Sequence, residues 1–355
     1  ANTLRNPRFL YGAFSRFSVR DAMAYFEDLG VPLKVERGAR VFPVSDRARD
    51  VTDALERALC RYGVKIYHDR AEEIVLQNGA VCGARAKQSQ IPARTVILAT
   101  GGVSYPTTGS TGDGYQMASN LGHTIVEPKA SLVPIESDLA VCRALQGLTL
   151  KNVTLSAHDK TGNCVFSELG EMLFTHFGVS GPLVLSASAR LSEQDGDLGS
   201  LVIDLKPGLT CEQLDARILR DFAERQNSDL ANALGGLLPR KLIGVVVERL
   251  GVPGDTKVHS VTREVRERLV SILKGFTLPV LRKRPVSEAV VTAGGVSVRE
   301  VSPKTMESKL CPGLYFAGEI LDVDAYTGGF NLQIAWSTAF VAGTSAALAA
   351  SYKGE

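Results

Sequence analysis

The sequence predicts an α/β fold, a single sheet-and-helix domain split by an insertion of roughly 150 residues. Three observations carry that reading. Two short apolar runs, Thr95-Val-Ile-Leu-Ala99 and Leu314-Tyr-Phe-Ala317, have the length of buried strands and run into glycines, at Gly101-Gly102 and Gly318. A helical pattern follows the second run, opening at Gly328-Gly329 and continuing from about Asn331. From about Ser131 the texture changes to short β-rich runs and then to amphipathic helices. The boundaries read this way are 1–129 and 286–355 for the two parts of the α/β domain. The insertion is 130–285, β-rich over 130–208 and helical over 209–285.

Taken in order, the elements follow from local chemistry. Arg16 to Gly30 reads as a helix, with Ser18 as N-cap, Asp21 three residues on, and Val19, Met23, Phe26 and Leu29 as its apolar stripe. Arg40-Val-Phe-Pro43 is extended. Ser45 opens a second helix with Val51, Leu55, Leu59 and Tyr62 on one face, and Val64 to Tyr67 alternates like a strand. Two β-like runs meet at Asn78-Gly79, a strong hairpin signal. The strand 95–99 then delivers Thr100-Gly101-Gly102. Helix, strand, hairpin and strand ending in a Gly-rich loop match the second half of a dinucleotide-binding α/β domain.

Gly109-Ser-Thr-Gly112-Asp113-Gly114 is a further Gly-rich turn. It lacks the Lys of a P-loop and the order of a Rossmann fingerprint, so a capped tight turn is the stronger reading than a phosphate site. In the insertion, Leu214/Ile218/Phe222 and Val261/Val265/Leu269/Leu273 are i, i+4 stripes. Ser302-Pro303 reads as the start of a short helix.

Composition narrows the class. The 355 residues are 45% apolar and 22% charged, ordinary for a soluble globular chain with a real core. A net charge of +2 gives no electrostatic footprint for nucleic acid or anionic membrane, so neither is expected as a partner. Six cysteines without a C-x-x-C pair argue against a disulfide framework or a zinc site, and no metal is expected. They suit a reducing, cytoplasmic setting. No apolar run approaches membrane-spanning length. The opening Ala1-Asn-Thr-Leu-Arg5 carries no signal-peptide pattern and reads as mid-protein sequence.

The chemistry concentrates at 313–343. Gly318 is followed at once by the carboxylate of Glu319, and Gly328-Gly329 opens a helix whose first backbone N–H groups point outward. Glycine lets a flat, electron-rich ligand approach that backbone, and the helix end favours negative charge. The plain alternative, a strand–turn–helix with glycines for packing, carries even weight on this stretch alone. His176, in Leu173-Phe-Thr-His-Phe-Gly-Val-Ser-Gly-Pro182, has the residue type for acid/base work, although a structural hydrogen bond in a turn is the commoner use.

Leu98-Ala-Thr-Gly-Gly-Val-Ser-Tyr-Pro-Thr-Thr-Gly-Ser-Thr-Gly-Asp-Gly-Tyr115, the His176 segment, Val291-Thr-Ala-Gly-Gly-Val296, Gly313 to Asp322 and Gly328-Gly-Phe-Asn-Leu-Gln333 together resemble the bacterial HI0933-like flavoproteins. Arg40-Val-Phe-Pro-Val-Ser45 and Asn6 to Tyr11 are similar to that family's early segments. The resemblance spans essentially the whole chain. It implies an FAD-dependent oxidoreductase with a split FAD-binding domain of the two-dinucleotide-binding-domain type. Thr100, Gly101 and Gly102 would lie near the cofactor, and Glu319 would take the place of the usual ribityl-binding aspartate. Gly318 and Asp322 would flank it. Gly328, Gly329, Phe330 and Asn331 would present backbone N–H groups to the pyrimidine edge of the isoalloxazine. NAD(P)H is implied as electron donor and a small organic molecule, such as a conjugated enone, as acceptor. His176 and Tyr326 are the candidate proton donors.

One departure matters. The family pattern opens with a βαβ unit carrying G-x-G-x-x-G, and none of the Gly-Gly pairs here opens such a turn. FAD is therefore expected to bind weakly or not at all, and the sheet to show apolar edges. Two rival readings follow: a non-catalytic truncated chain acting as a binding module, and a flavin-dependent RNA-modifying protein. The missing fingerprint favours the first rival, and the near-neutral charge argues against the second.

Overall fold

Parallel pairing of the two glycine-terminated strands is the feature on which the candidate site is built. In a computed structural model describing residues 2–36, 38–191 and 199–352, Val96–Leu98 runs beside Leu314–Phe316 in register Val96↔Leu314, Tyr315↔Ile97 and Phe316↔Leu98. Leu314, Tyr315 and Phe316 are all buried, as expected of a strand covered on both faces. Among the described residues Val96–Leu98 pairs only with Leu314–Phe316, and Ile97 is exposed. The chain divides into two compact units, Ala1–Ala130 with Val290–Glu355, and Ser131–Ala289.

In the first unit, Ser18 caps the helix Val19–Asp28 in a reciprocal capping box with Asp21. The helix begins at Val19 rather than Arg16, because Phe17 is extended after the separate short helix Tyr11–Arg16. Its buried face is Ala22 and Phe26, and Val19 is exposed. The second helix is Ala48–Arg61, with buried Ala54 and Ala58 and an exposed Tyr62. Arg47 stands at the N-cap, and Ser45 lies outside the helix. Val64–Tyr67 forms no strand: its residues find no neighbouring ladder among the described residues, and an alternating run without one stays irregular. Ala71–Gln77 and Ala80–Ala86 form the hairpin, with Asn78 and Gly79 at φ 52° and 78°, the left-handed pair of a type I′ turn. Ser302-Pro303 opens turns rather than a helix.

The helix Phe330–Tyr352 closes this unit. By length and composition, Phe330–Ser351 is long and apolar enough to cross a membrane, contrary to the expectation that no run approaches that length. Its buried polar side chains are used inside the unit. Ser337 Oγ donates to the Phe17 carbonyl (2.7 Å), and Thr338 Oγ1 accepts from Gly318 N–H (2.9 Å).

His123 is buried behind the same strand, edge-on to Phe316, with Nε2 2.8 Å from Ser308 Oγ and Nδ1 3.3 Å from Glu300 Oε2. Burial pushes its pKa down, outweighing the attraction of the Glu300 carboxylate. The folded state thus binds its proton less readily than the unfolded state. This contribution to stability is full above the unfolded value of about 6.5 and is lost as pH falls through the lower folded value. The melting temperature should therefore drop more steeply below about pH 6.5 for the native protein than for His123→Gln, as measured by calorimetry across pH.

The second unit is an antiparallel seven-stranded sheet in the order Phe276–Pro279, Ser200–Asp204, Thr149–His158, Cys164–Phe174, Gly178–Ser180, Ile135–Glu136, Arg282–Lys283. Cys211–Ala223, capped by Thr210 with Gln213, buries Leu214, Ile218 and Phe222, and Arg263–Lys274 buries Leu269 and Leu273. These side chains share one hydrophobic core with the sheet.

Candidate functional site

Glycine, hydroxyl and carboxylate converge at the carboxyl ends of the parallel pair. Gly318 takes φ 76°, and Glu319 follows in a single 3-10 turn. Glu319 Oε1 accepts from the Thr292 N–H (2.6 Å) and from Ser104 Oγ (3.2 Å). Oε2 has no hydrogen-bond partner among the described residues, so the carboxylate is anchored by one oxygen and offers the other. Thr292, fully buried in the strand Val291–Val296, also accepts at Oγ1 from the N–H groups of Val103 (2.8 Å) and Ser104 (3.1 Å). One threonine thereby fixes both the Gly101–Ser104 loop and Glu319. Gly102 is buried against it. An added Cβ would overlap the Thr292 side chain and lie 3.0 Å from Glu319 Oε1. Thr100 is exposed at the strand end, and Gly101 turns the chain with φ 74°.

Tyr115 lies behind this cluster on the helix Asp113–Asn120, its O–H 3.5 Å from the Glu319 carbonyl. Burial, with the neighbouring Glu319 and Asp322 carboxylates, pushes its phenol well above the ordinary range, so it stays protonated.

Gly328 and Gly329, at φ 115° and 88°, are exposed, and a Cβ on Gly329 would meet nothing within 4 Å. The helix beginning at Phe330 leaves its first N–H groups without intrahelical partners. The Asn331 side chain is already engaged: Oδ1 accepts from Ala325 N–H (2.9 Å) and Nδ2 donates to the Ala325 carbonyl (2.8 Å). Only its backbone N–H is left for a ligand. Asp322 is buried and held by Asn6, whose Nδ2 donates to its carbonyl (2.7 Å) and its Oδ2 (3.0 Å), with Arg5 3.6 Å from Oδ1. The segment Asn2–Asn6 crosses this loop like a strand. Leu4 N–H donates to the Asp324 carbonyl (2.8 Å), Tyr326 N–H donates to that of Asn2 (3.1 Å), and Thr3 bridges Ala325. Tyr326 is half-buried in the clasped loop.

His176 belongs to the other unit, exposed in the turn between Cys164–Phe174 and Gly178–Ser180 and edge-on to Phe177. The first unit thus brings together Thr100, Gly101, Gly102, Gly318 and Glu319, and sets Asp322, Tyr326 and Gly328 to Asn331 on the adjoining loop and helix. Sequence reasoning missed Thr292, Ser104, Arg5 and Asn6 as parts of this site. A hydroxyl inside the otherwise apolar run 290–296 was the available signal for Thr292. The clasp by Arg5 and Asn6 left no local signal, since their partners lie more than 300 residues away.

Among known proteins, residues 1–345 match the family described as "HI0933-like protein Rossmann domain". The chain is 31% identical over 348 residues to a ribosomal RNA dihydrouridine synthase of Haemophilus influenzae, covering 96% of this chain and 83% of that protein. It is 30% identical over 345 residues to a 3-dehydro-bile acid delta(4,6)-reductase of Clostridium scindens, with the same coverage. It is 30% identical over 340 residues to a ribosomal RNA dihydrouridine synthase of Escherichia coli, covering 95% and 81%.

Proposed function

The chain belongs to the HI0933-like Rossmann-domain family, and on that premise we propose that it is an FAD-dependent oxidoreductase that reduces a carbon–carbon double bond conjugated to a carbonyl group. The observation that carries the reading is Glu319, anchored through Oε1 by Thr292 and Ser104 with Oε2 free, beside a Gly102 that tolerates no side chain. That combination fits the polyhydroxyl chain of a flavin cofactor: a fixed acceptor for a hydroxyl, next to backbone that a ligand can approach closely. Glu319 would accept from a ribityl hydroxyl. The N–H groups at Gly328 to Asn331 would donate to an electron-rich ring edge, with the helix end favouring charge there. When bound, FAD supplies hydride chemistry, with NAD(P)H as the proposed donor. The chain's own contribution would be to orient and polarise, and Tyr326, half-buried on the adjoining loop, is the proposed proton donor.

The substrate class rests on chemistry shared by the relatives' names. A delta(4,6)-reductase of a 3-oxo bile acid and a uridine-to-dihydrouridine enzyme both saturate a double bond conjugated to a carbonyl. Two of the three names are RNA enzymes, and this favours a second reading in which the acceptor is a uracil base in RNA. The chain's net charge of +2 supports the small-molecule reading over it, because phosphate binding draws on a basic surface. The test supplies FAD and NAD(P)H and follows oxidation of the donor with a 3-oxo-4,6-diene bile acid, 2-cyclohexenone or a uridine-containing rRNA fragment. Turnover of either enone supports the proposal, turnover of the RNA alone supports the second reading, and turnover of none contradicts both.

A further inference from the structure

Eight non-glycine residues among those described have positive φ. Asn6, Asp46, Asn78 and Asn152 are of the types that tolerate the left-handed region, and Ala39 is small. Three are bulky: Tyr105 at φ 47°, Leu132 at 55° and Met306 at 61°. Leu132 and Met306 are 0% exposed, so their side-chain packing offsets the strain. Tyr105 is 50% exposed, and its phenol oxygen has no hydrogen-bond partner among the described residues. Its own side chain therefore contributes little to holding its backbone in that conformation.

The surrounding loop holds it instead. Thr108 donates to the Tyr105 carbonyl twice, from its N–H (2.9 Å) and its Oγ1 (2.7 Å), and Pro106 follows directly. On the other side is Ser104, whose hydroxyl and N–H reach Glu319 and Thr292. A large ring is thus kept outward on a pinned, strained turn, one residue from the group that fixes the candidate site's carboxylate. Strain of this kind persists only where the surrounding structure over-determines it, and such residues cluster at active sites and ligand clamps.

We propose that Tyr105 is a substrate-contact residue, its ring packing against the flat, carbonyl-conjugated acceptor. This rests on the reductase reading above. The test uses the full chain with FAD supplied and compares Tyr105→Gly and Tyr105→Phe with the native protein in three readouts: the flavin visible spectrum, equilibrium binding of the 3-oxo-4,6-diene bile acid, and melting temperature. Glycine suits the left-handed backbone, so Tyr105→Gly should hold or slightly raise the melting temperature. It should leave the flavin spectrum unchanged and weaken binding of the acceptor by about 10-fold or more. Tyr105→Phe should bind within about 2-fold of native, because the ring is retained. Unchanged acceptor binding in Tyr105→Gly, or a lowered melting temperature, would overturn the inference while leaving the reductase reading intact. A native chain that binds neither flavin nor acceptor would bring down both.

Discussion

Gly102→Ala is expected to abolish flavin binding at concentrations where the native chain binds. The new methyl group has no free direction, since it would overlap the Thr292 side chain and press on Glu319 Oε1. Thr292 cannot retreat without releasing the N–H groups of Val103 and Ser104 and its own bond to Glu319. One added carbon should therefore disturb the glycine loop, the threonine and the carboxylate together. Overpacking a buried position of this kind costs about 1–3 kcal/mol of stability, so the protein should still fold with a lowered melting temperature. Fluorescence titration with riboflavin or FAD, run beside a thermal melt, separates lost binding from lost fold. Native-like affinity in a folded variant would show that these three residues do not form the ligand contact.

The largest stability effect is expected from Gly178→Ala. Gly178–Ser180 lies between Cys164–Phe174 and Ile135–Glu136 in the seven-stranded sheet. A Cβ on Gly178 would overlap the Ile135 carbonyl oxygen and sit 2.8 Å from the Glu136 Cα. The neighbour is backbone, so relief requires parting two paired strands and giving up their ladder. Destabilisation of about 3 kcal/mol or more is expected in urea unfolding followed by far-UV circular dichroism. Gly244→Ala provides the contrast. It is exposed in the helix Arg240–Leu250 with nothing within 4 Å, and alanine there should stabilise by about 0.5–1 kcal/mol. A Gly178→Ala variant within about 1 kcal/mol of native would contradict the strand register.

These glycines mark the limit of what the sequence reveals. Asn78-Gly79, the Ser18–Asp21 box and the Leu214/Ile218/Phe222 stripe were legible because turn geometry, capping and helical periodicity are local. The glycine-terminated strands were legible too, since short apolar runs ending in glycine have few other uses. Local alternation misled at Val64–Tyr67, because a strand exists only where a neighbour completes its hydrogen bonds. Proline after serine misled at Ser302-Pro303 for a related reason, since a cap signal needs an apolar periodic run behind it.

In the candidate site, Glu319 and Gly328-Gly329 stood out as a carboxylate and a glycine pair at element ends. The parts that hold them did not. Thr292 acts through contacts 189 and 27 residues away, and Asn6 through one 316 residues away. Tyr105 is invisible to pattern reading, because its distinction is a backbone angle that its residue type does not announce.

The proposed activity requires that the residues at Gly102, Glu319 and Gly328 to Asn331 hold a flavin. The contacts proposed for these groups are to a ribityl chain and a ring edge, so riboflavin is the sharpest probe. Titrating the purified chain into riboflavin should quench its fluorescence saturably, and Glu319→Gln should weaken that binding by about 10-fold through loss of the charged acceptor. Quenching that never saturates, or that is identical in Glu319→Gln, would contradict the assignment of this site.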